Sequence, residues 1–474
     1  MSNTSTARER INSLLDENSF VEIGALVTAR ATDFNMDPKA AASDGVITGY
    51  GLINDKVVYV YSQDTSVMGG SIGEMHAKKI VGLYRLAMKV GAPVIGLVDS
   101  TGLRLQEATD ALNAFGRIYK AQSMASGVIP QITAVFGNCG GGLAIVSSLS
   151  DITVMEKSAK LFVNSPNALE GNYEAKCDSA SADFQSSESG LCDLVCEGSE
   201  IFDTLRELVT LLPDNNEDTA SLECNDDLNR LTEDFSDCTD DPAVALSRIA
   251  DDQMFCELKA SYAKEMVTGL LRLDGLTVGA VANRCAVFSE DGETSEKFDS
   301  LLTADGAEKA ADFVNFCDAF NIPVLSLTNA TGFKATFENE KKIARAAAKL
   351  TYAFANATVP KINLITQKAY GSAYAIMNSK AIGADLTIAL ENASIGMMDP
   401  EAAARIMYAD ADPDTVKEKA GEYGKLQNSI DSAARRGYVD QIIDGADARK
   451  YLIGAFEMLY TKSEDRPYKK HGSI

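Results

Sequence analysis

Histidine is nearly absent: the 474-residue chain holds two, His76 and His471. A Ser-His or Cys-His nucleophilic system, or a zinc site built on several imidazoles, therefore has almost no material. His471 sits in the polar tail YKKHGSI, and His76, within GEMHAKKIVGLYRLAMK, is expected on a helix surface. CxxC pairs are missing as well. Nine cysteines are scattered along the chain, Cys192 and Cys196 being the nearest pair, so reduced thiols are expected and a structural metal is not. No apolar run approaches the ~18 residues of a membrane-spanning helix, and the N-terminus MSNTSTARERINSLLDENSF has no apolar secretory core. The expectation is a cytoplasmic protein. Positive charge is in deficit: 44 Lys and Arg face 68 Asp and Glu, for a formal net charge of −24. Such a field repels phosphate backbones, so nucleic acid is not an expected partner, and an anionic ligand needs a local basic patch.

What is present is an internal repeat. GAPVIGLVDSTGL from Gly91 returns as NIPVLSLTNATGF from Asn321, 230 positions later. Pro93, Pro130 and Gly141 return at the same displacement as Pro323, Pro360 and Gly371. DITVMEKSAKLFVNSP from Asp151 has its counterpart in DLTIALENASIGMMDP from Asp385. The reading is two copies of one α/β domain, 1–212 and 243–474, with an active site where equivalent loops meet. The acidic stretch 213–242, in which Arg230 is the one basic residue, is expected as a linker. Within the first copy the pattern predicts a helix over 8–15, a β-hairpin through the Asn-Asp of GYGLINDKVVYVY, a helix over 74–89, and buried strands in PVIGLVD and IPQITAVFG. The second copy is expected to open on a helix, AVALSRIADDQMFCELK, followed by the strand pair GLLRLDGLTVGAVANR. Its closing helix is expected to pack on the other copy.

Two glycine-rich turns occupy equivalent places, GNCGGGLAIV from Gly137 and KAYGSAYAIM from Lys368. Each follows a buried strand and opens a helix, where unpaired N–H groups point outward. Small side chains admit a ligand oxygen to those amides, as an oxyanion hole requires; close packing at a strand–helix turn is the competing use of the same glycines. GNCGGG lacks the GK[ST] ending of a phosphate loop. AMKV at Ala87–Val90 is similar to a biotin-attachment motif but ends a helical pattern, so Lys89 is expected as a surface residue and any biotin arrives on another polypeptide.

VYVYSQDTSVMGGSIGEMHAKKI, VDSTGLRLQE, SGVIPQITAVFGNCGGG, VNFCDAFNIPVLSL and KLTYAFANATVPKINLITQKAYGSAYAIMNSK resemble the carboxyltransferase subunits of biotin-dependent acyl-CoA carboxylases and decarboxylases, over nearly the whole chain. The resemblance implies two tandem crotonase-like α/β domains built on a ββα spiral, the first holding acyl-CoA and the second biotin. It implies catalysis between the first domain of one subunit and the second of its partner in a dimer or hexamer. Gly141 and Gly142 align with the family's first oxyanion hole, for the thioester enolate, and Ser372 and Ala373 with the second, for the ureido oxygen of biotin. Where the family has GGAY this chain has GSAY. Gly140, Gly371, Tyr374 and Ala375 flank the two holes, and Gly102 and Gly332, the latter followed by Phe333, keep the family's turns. Arg104, Lys78 and Lys79 are candidates for the phosphates of coenzyme A, with solvated or loop charges as the alternative. The implied mechanism moves a carboxyl group between biotin and the α-carbon of an acyl-CoA, with carboxybiotin serving as its own base. Implied partners are a biotin carboxyl carrier protein and either a biotin carboxylase or the membrane subunit of a decarboxylase, with the chain cytoplasmic or peripheral to a membrane complex. An enoyl-CoA hydratase or isomerase would need a glutamate pair and no second copy; a non-catalytic scaffold is the other alternative.

Overall fold

Asn54 and Asp55 both adopt left-handed backbone (φ 50° and 65°), the two-residue turn that matches the twist of a hairpin. They join strands Val46–Ile53 and Lys56–Gln63 in a full antiparallel register from Val46↔Gln63 to Ile53↔Lys56. Asp274 and Gly275 do the same between Met266–Leu273 and Leu276–Asn283. The structure, a computed structural model, describes residues 6–30, 43–289 and 291–474 and divides into two compact units, Met1–Ala220 and Ser221–Ile474.

In the first unit the strands are β1 (Val21–Ile23), β2 (Val46–Ile53), β3 (Lys56–Gln63), β4 (Val94–Ser100), β5 (Gln131–Gly140), β6 (Ile152–Glu156), β7 (Lys160–Phe162) and β8 (Leu194–Cys196). They form one sheet in the order β1-β2-β3-β4-β5-β6-β8, with β7 against the end of β5. The second unit repeats this order with β9 (Phe255–Leu258), β10 (Met266–Leu273), β11 (Leu276–Asn283), β15 (Val324–Ala330), β17 (Lys361–Tyr370), β18 (Leu386–Leu390), β19 (Ser394–Gly396) and β20 (Gln441–Ile443). Of the remaining strands, β12 (Ala286–Phe288) pairs β13 (Thr294–Lys297), and β14 (Leu301–Leu302) pairs β16 (Gly332–Phe333). Antiparallel pairs lie at one end of each sheet. From β3 and β11 onward the pairing is parallel, and β4 and β15 are buried throughout, as a sheet covered on both faces requires.

The ten-residue strands β5 and β17 position the site because each pairs first with one neighbour and then, past a bend, with another: β6 then β7, and β18 then β19. At the bend the register against β4 shifts between Val98 and Ser100, and against β15 between Thr328 and Ala330. One side chain satisfies the freed amide in each case. Asp99 Oδ1 accepts from the Asn138 N–H, and Asn329 Oδ1 accepts from the Lys368 N–H. The backbone of each of these two residues is held alike, since the Asp99 N–H donates to Gln63 and the Asn329 N–H to Asn283.

Four expectations are corrected. His76 is fully buried, not on a surface: its Nδ1 lies 2.9 Å from the Asp44 carbonyl, and burial, reinforced by Arg104, lowers its pKa to about 3, so the ring is neutral. The helix opening the second copy stops at Ile249, because Ala250 turns extended (φ −66°, ψ 152°), and FCEL becomes the edge strand β9. The closing helix, Ala448–Leu459, packs on its own sheet: Leu452, Ile453 and Phe456 join Val267, Leu271 and Ile388 in one core. Residues 221–242 are not a free linker. Phe235 is buried in that same core, the Thr232 N–H donates to the Ala446 carbonyl, and the buried Arg449 faces Asp226 and Asp251.

Candidate active site

Strand β5 ends at Gly140, beside the Phe162 ring, where an added Cβ would sit 2.9 Å from the aromatic carbons. Gly141 follows at φ 63°, ψ −130°, a conformation open only to glycine, with free space where a side chain would project. Its N–H donates to the Phe162 carbonyl at 2.8 Å. The short helix Gly142–Ser148 then begins, and the Ala144 N–H closes on the Gly141 carbonyl. The first turn therefore offers the N–H groups of Gly142 and Leu143. Behind them, the Tyr119 hydroxyl donates to the Gly142 carbonyl at 2.8 Å and fixes that peptide.

Strand β17 ends in the same way. Tyr370 pairs Gly396 as Gly140 pairs Phe162, and Gly371 (φ 60°) opens the helix Gly371–Ile376. With the 230-residue displacement, Ser372 and Ala373 are the counterparts of Gly142 and Leu143. The pair named for the first turn, Gly141 and Gly142, is thus displaced by one position from the pair named for the second. Gly141 spends its amide on the Phe162 carbonyl, and the next amide of the turn after Gly142 is that of Leu143, a residue not named from the sequence. The constant displacement was the signal that could have found it.

The second turn faces a cavity of about 720 Å³, lined by Ser372, Tyr374, Ala375, Met397, Tyr423 and Tyr438 among others. Burial pushes the Tyr374 phenol up to about 12, so it remains a neutral donor. Arg436 lies over the Tyr438 ring at 5.7 Å and is held by the Gln427 carbonyl at 2.9 Å. Gly332 and Phe333, in β16, lie against the helix Gly371–Ile376. Gly102 (φ 98°) borders the first turn, where an added Cβ would meet the Gly140 carbonyl at 3.5 Å.

The basic candidates separate. Lys78 is exposed on its helix. Lys79 is buried, with its ammonium on the Ser43 and Val46 carbonyls, and burial lowers its pKa to about 8. Arg104 is fully buried between Asp44 and Glu107, 2.8 Å from Glu107 Oε1, and also donates to the Ser71 carbonyl at 2.7 Å. Both are corrected from phosphate ligands to internal struts, since an ammonium or guanidinium whose donors are spent on buried partners has none left for a phosphate.

Chemically, two amide pairs on equivalent strand–helix turns can each receive one developing oxyanion. Residues 2–474 match the family described as the carboxyl transferase domain. The chain is 40% identical to the methylmalonyl-CoA decarboxylase subunit alpha of Propionigenium modestum, over 99% of this chain and 93% of that one. It is 38% identical to the propionyl-CoA carboxylase beta chain of Roseobacter denitrificans, with the same coverage. Its fold superposes with a TM-score of 0.93 on the transcarboxylase 12S hexamer determined with methylmalonyl-coenzyme A and methylmalonic acid bound, at 37% identity over 99% of this chain and 92% of that one.

Proposed function

The chain belongs to the carboxyl transferase family, and on that premise we propose that its two amide pairs divide one reaction between them, Gly142 and Leu143 serving the acyl thioester, Ser372 and Ala373 serving biotin. It is an acyl-CoA carboxyltransferase. As the α-carbon of the thioester gains or loses its carboxyl group, negative charge moves onto the thioester oxygen, and two fixed N–H donors meet that charge without reorganising. One donor of this kind is typically worth about 10²–10³ in rate. The observation that carries the reading is the pair of turns itself: φ 63° at Gly141 and 60° at Gly371, each closing a bent ten-residue strand and exposing the next two amides.

Biotin, when bound, supplies a ureido nitrogen able to carry and release the carboxyl group. The residues of the second cavity suit it. Tyr374, Tyr423 and Tyr438, with Met397 and Ile395, would enclose a flat ring and an aliphatic chain, and Gly371 and Ser372 stand at one wall, where the amides of the turn would meet a carbonyl oxygen. A separate carrier for biotin is supported by Lys89, which lies in the last turn of the helix Glu74–Val90 and not on a hairpin tip. The acyl group proposed is of propionyl and methylmalonyl size, since decarboxylase and carboxylase chains acting on these thioesters are matched alike. Arg104 and Lys79 keep a part in this reading as struts beneath the thioester half, whereas the exposed Lys78 retains the phosphate role.

Transfer of a radiocarbon-labelled carboxyl group from methylmalonyl-CoA to free biotin tests the proposal. Label appearing in biotin, dependent on the protein, is the expected result. No transfer beyond the protein-free control, with the chain folded, would remove it.

A further inference from the structure

The two turns differ at the residue that follows the left-handed glycine. In the first, a side chain at Gly142 is excluded, because an added Cβ would lie 2.6 Å from the Tyr119 hydroxyl and 3.4 Å from the Phe115 ring. In the second, the equivalent position admits Ser372, which is exposed and lines the cavity. Among the described residues its hydroxyl has no hydrogen-bond partner. Some serine hydroxyls at helix starts have one, as Ser181 does with the Phe184 N–H and Ser429 with the Ser432 N–H, while those at the caps Ser165 and Ser199 make no cap hydrogen bond. Nor does the Tyr374 hydroxyl, on the same cavity wall, meet a partner among the described residues. A serine hydroxyl rotates to suit its partner, and beside an amide on the same residue it can reach an atom which that amide receives.

We propose that the Ser372 hydroxyl is a third hydrogen-bond donor to the ureido oxygen of biotin, alongside the Ser372 and Ala373 amides. The proposal rests on the assignment of this cavity to biotin. Its consequence is an asymmetric enzyme: two donors for the thioester oxygen and three for the ureido oxygen. The extra donor contributes to holding biotin in the ground state as well as when charge gathers on its oxygen. A neutral hydrogen bond of this sort has a net worth of about 0.5–1.5 kcal/mol, a factor of about 2–12 in affinity.

The test uses the full chain with Ser372→Ala, Ser372→Gly and Ser372→Thr. Equilibrium binding of free biotin, and of its analogue with sulfur in place of the ureido oxygen, is measured by ligand-observed magnetic resonance without acyl-CoA. Labelled-carboxyl transfer is followed in parallel. Expected are a loss of about 3- to 10-fold in biotin affinity for both Ala and Gly, retention in Thr, and a narrowed preference for biotin over the sulfur analogue in Ala and Gly. The KM for methylmalonyl-CoA should stay unchanged in all three. Wild-type affinity in Ala and Gly, or loss in Ala restored by Gly, would overturn the proposal, the latter by showing that a methyl group and not a missing hydroxyl is responsible. If Ala and Gly lose affinity for biotin and for the sulfur analogue in equal measure, the hydroxyl does not contact that oxygen, and the proposal falls. A wild-type chain that neither binds biotin nor transfers label would fail at the earlier step, the assignment of the cavity, which these variants leave untouched.

Discussion

At Gly142 an added methyl group would lie 2.6 Å from the Tyr119 hydroxyl, and Tyr119 cannot retreat without abandoning the Gly142 carbonyl it holds at 2.8 Å. Gly142→Ala is expected to lower kcat/KM for methylmalonyl-CoA by about 10²-fold, the worth of a displaced oxyanion donor. Adding Tyr119→Phe should restore part of it by removing the clashing oxygen; steady-state kinetics with thioester as the varied substrate checks both. Arg104 makes the opposite kind of prediction. Its fully buried guanidinium neutralises Asp44 and Glu107, so Arg104→Leu leaves two carboxylates unpaired and should cost about 3–5 kcal/mol in denaturant unfolding. An unchanged unfolding midpoint with a raised KM for acyl-CoA would return Arg104 to the role of a phosphate ligand. In sequence, Arg104 and Lys79 show only that charges stand near the site. Their partners, Asp44 and the Val46 carbonyl, lie dozens of positions away and cannot be read from spacing.

Among the elements, hairpins and glycine turns were legible because their chemistry is local. Asn54-Asp55 favours left-handed backbone by itself, and a ten-residue apolar strand followed by small residues announces its turn. The helix Pro242–Ile249 was read too long because its stop comes at an extended alanine, Ala250, in a stretch with neither Gly nor Pro. Helix Ala304–Ala319 carries a further consequence. Lys309 points inward and donates to the Lys259 and Tyr262 carbonyls at 2.8 Å each, as its repeat counterpart Lys79 does to Ser43 and Val46. Burial lowers the Lys309 pKa to about 7 from an ordinary 10.5. Between these values the unfolded chain holds the extra proton, so this residue makes stability rise with pH from about 7 toward 10. Lys309→Met removes the titration, and the stability of wild type minus variant should climb over that window, read as urea unfolding at constant ionic strength. A flat or falling difference would contradict the buried, deprotonating ammonium.

For the whole chain, the repeat was the most legible feature, since a displacement of 230 positions carries Gly141 onto Gly371, Asp99 onto Asn329 and Lys79 onto Lys309. Less legible was the unit boundary. Acidic composition suggested a linker to 242, but Phe235 and Thr232 tie that stretch into the second unit, because a single buried aromatic outweighs a run of solvated carboxylates. Among the described residues no helix is long and apolar enough to cross a membrane. The net charge of −24 makes an anionic thioester enter against the overall field, so an exposed cation such as Lys78 is the kind of group it would need nearby. What the two halves share is a pair of amides after a left-handed glycine, and in the first half the proposal sets that pair at Gly142 and Leu143. A crystal structure with a non-hydrolysable methylmalonyl-CoA analogue addresses it directly. The expected result is the thioester oxygen within hydrogen-bond distance of the Gly142 and Leu143 N–H groups, with Gly141 still bonded to Phe162; a thioester oxygen held by neither amide, or seated on Ser372 and Ala373, would contradict the division of labour argued above.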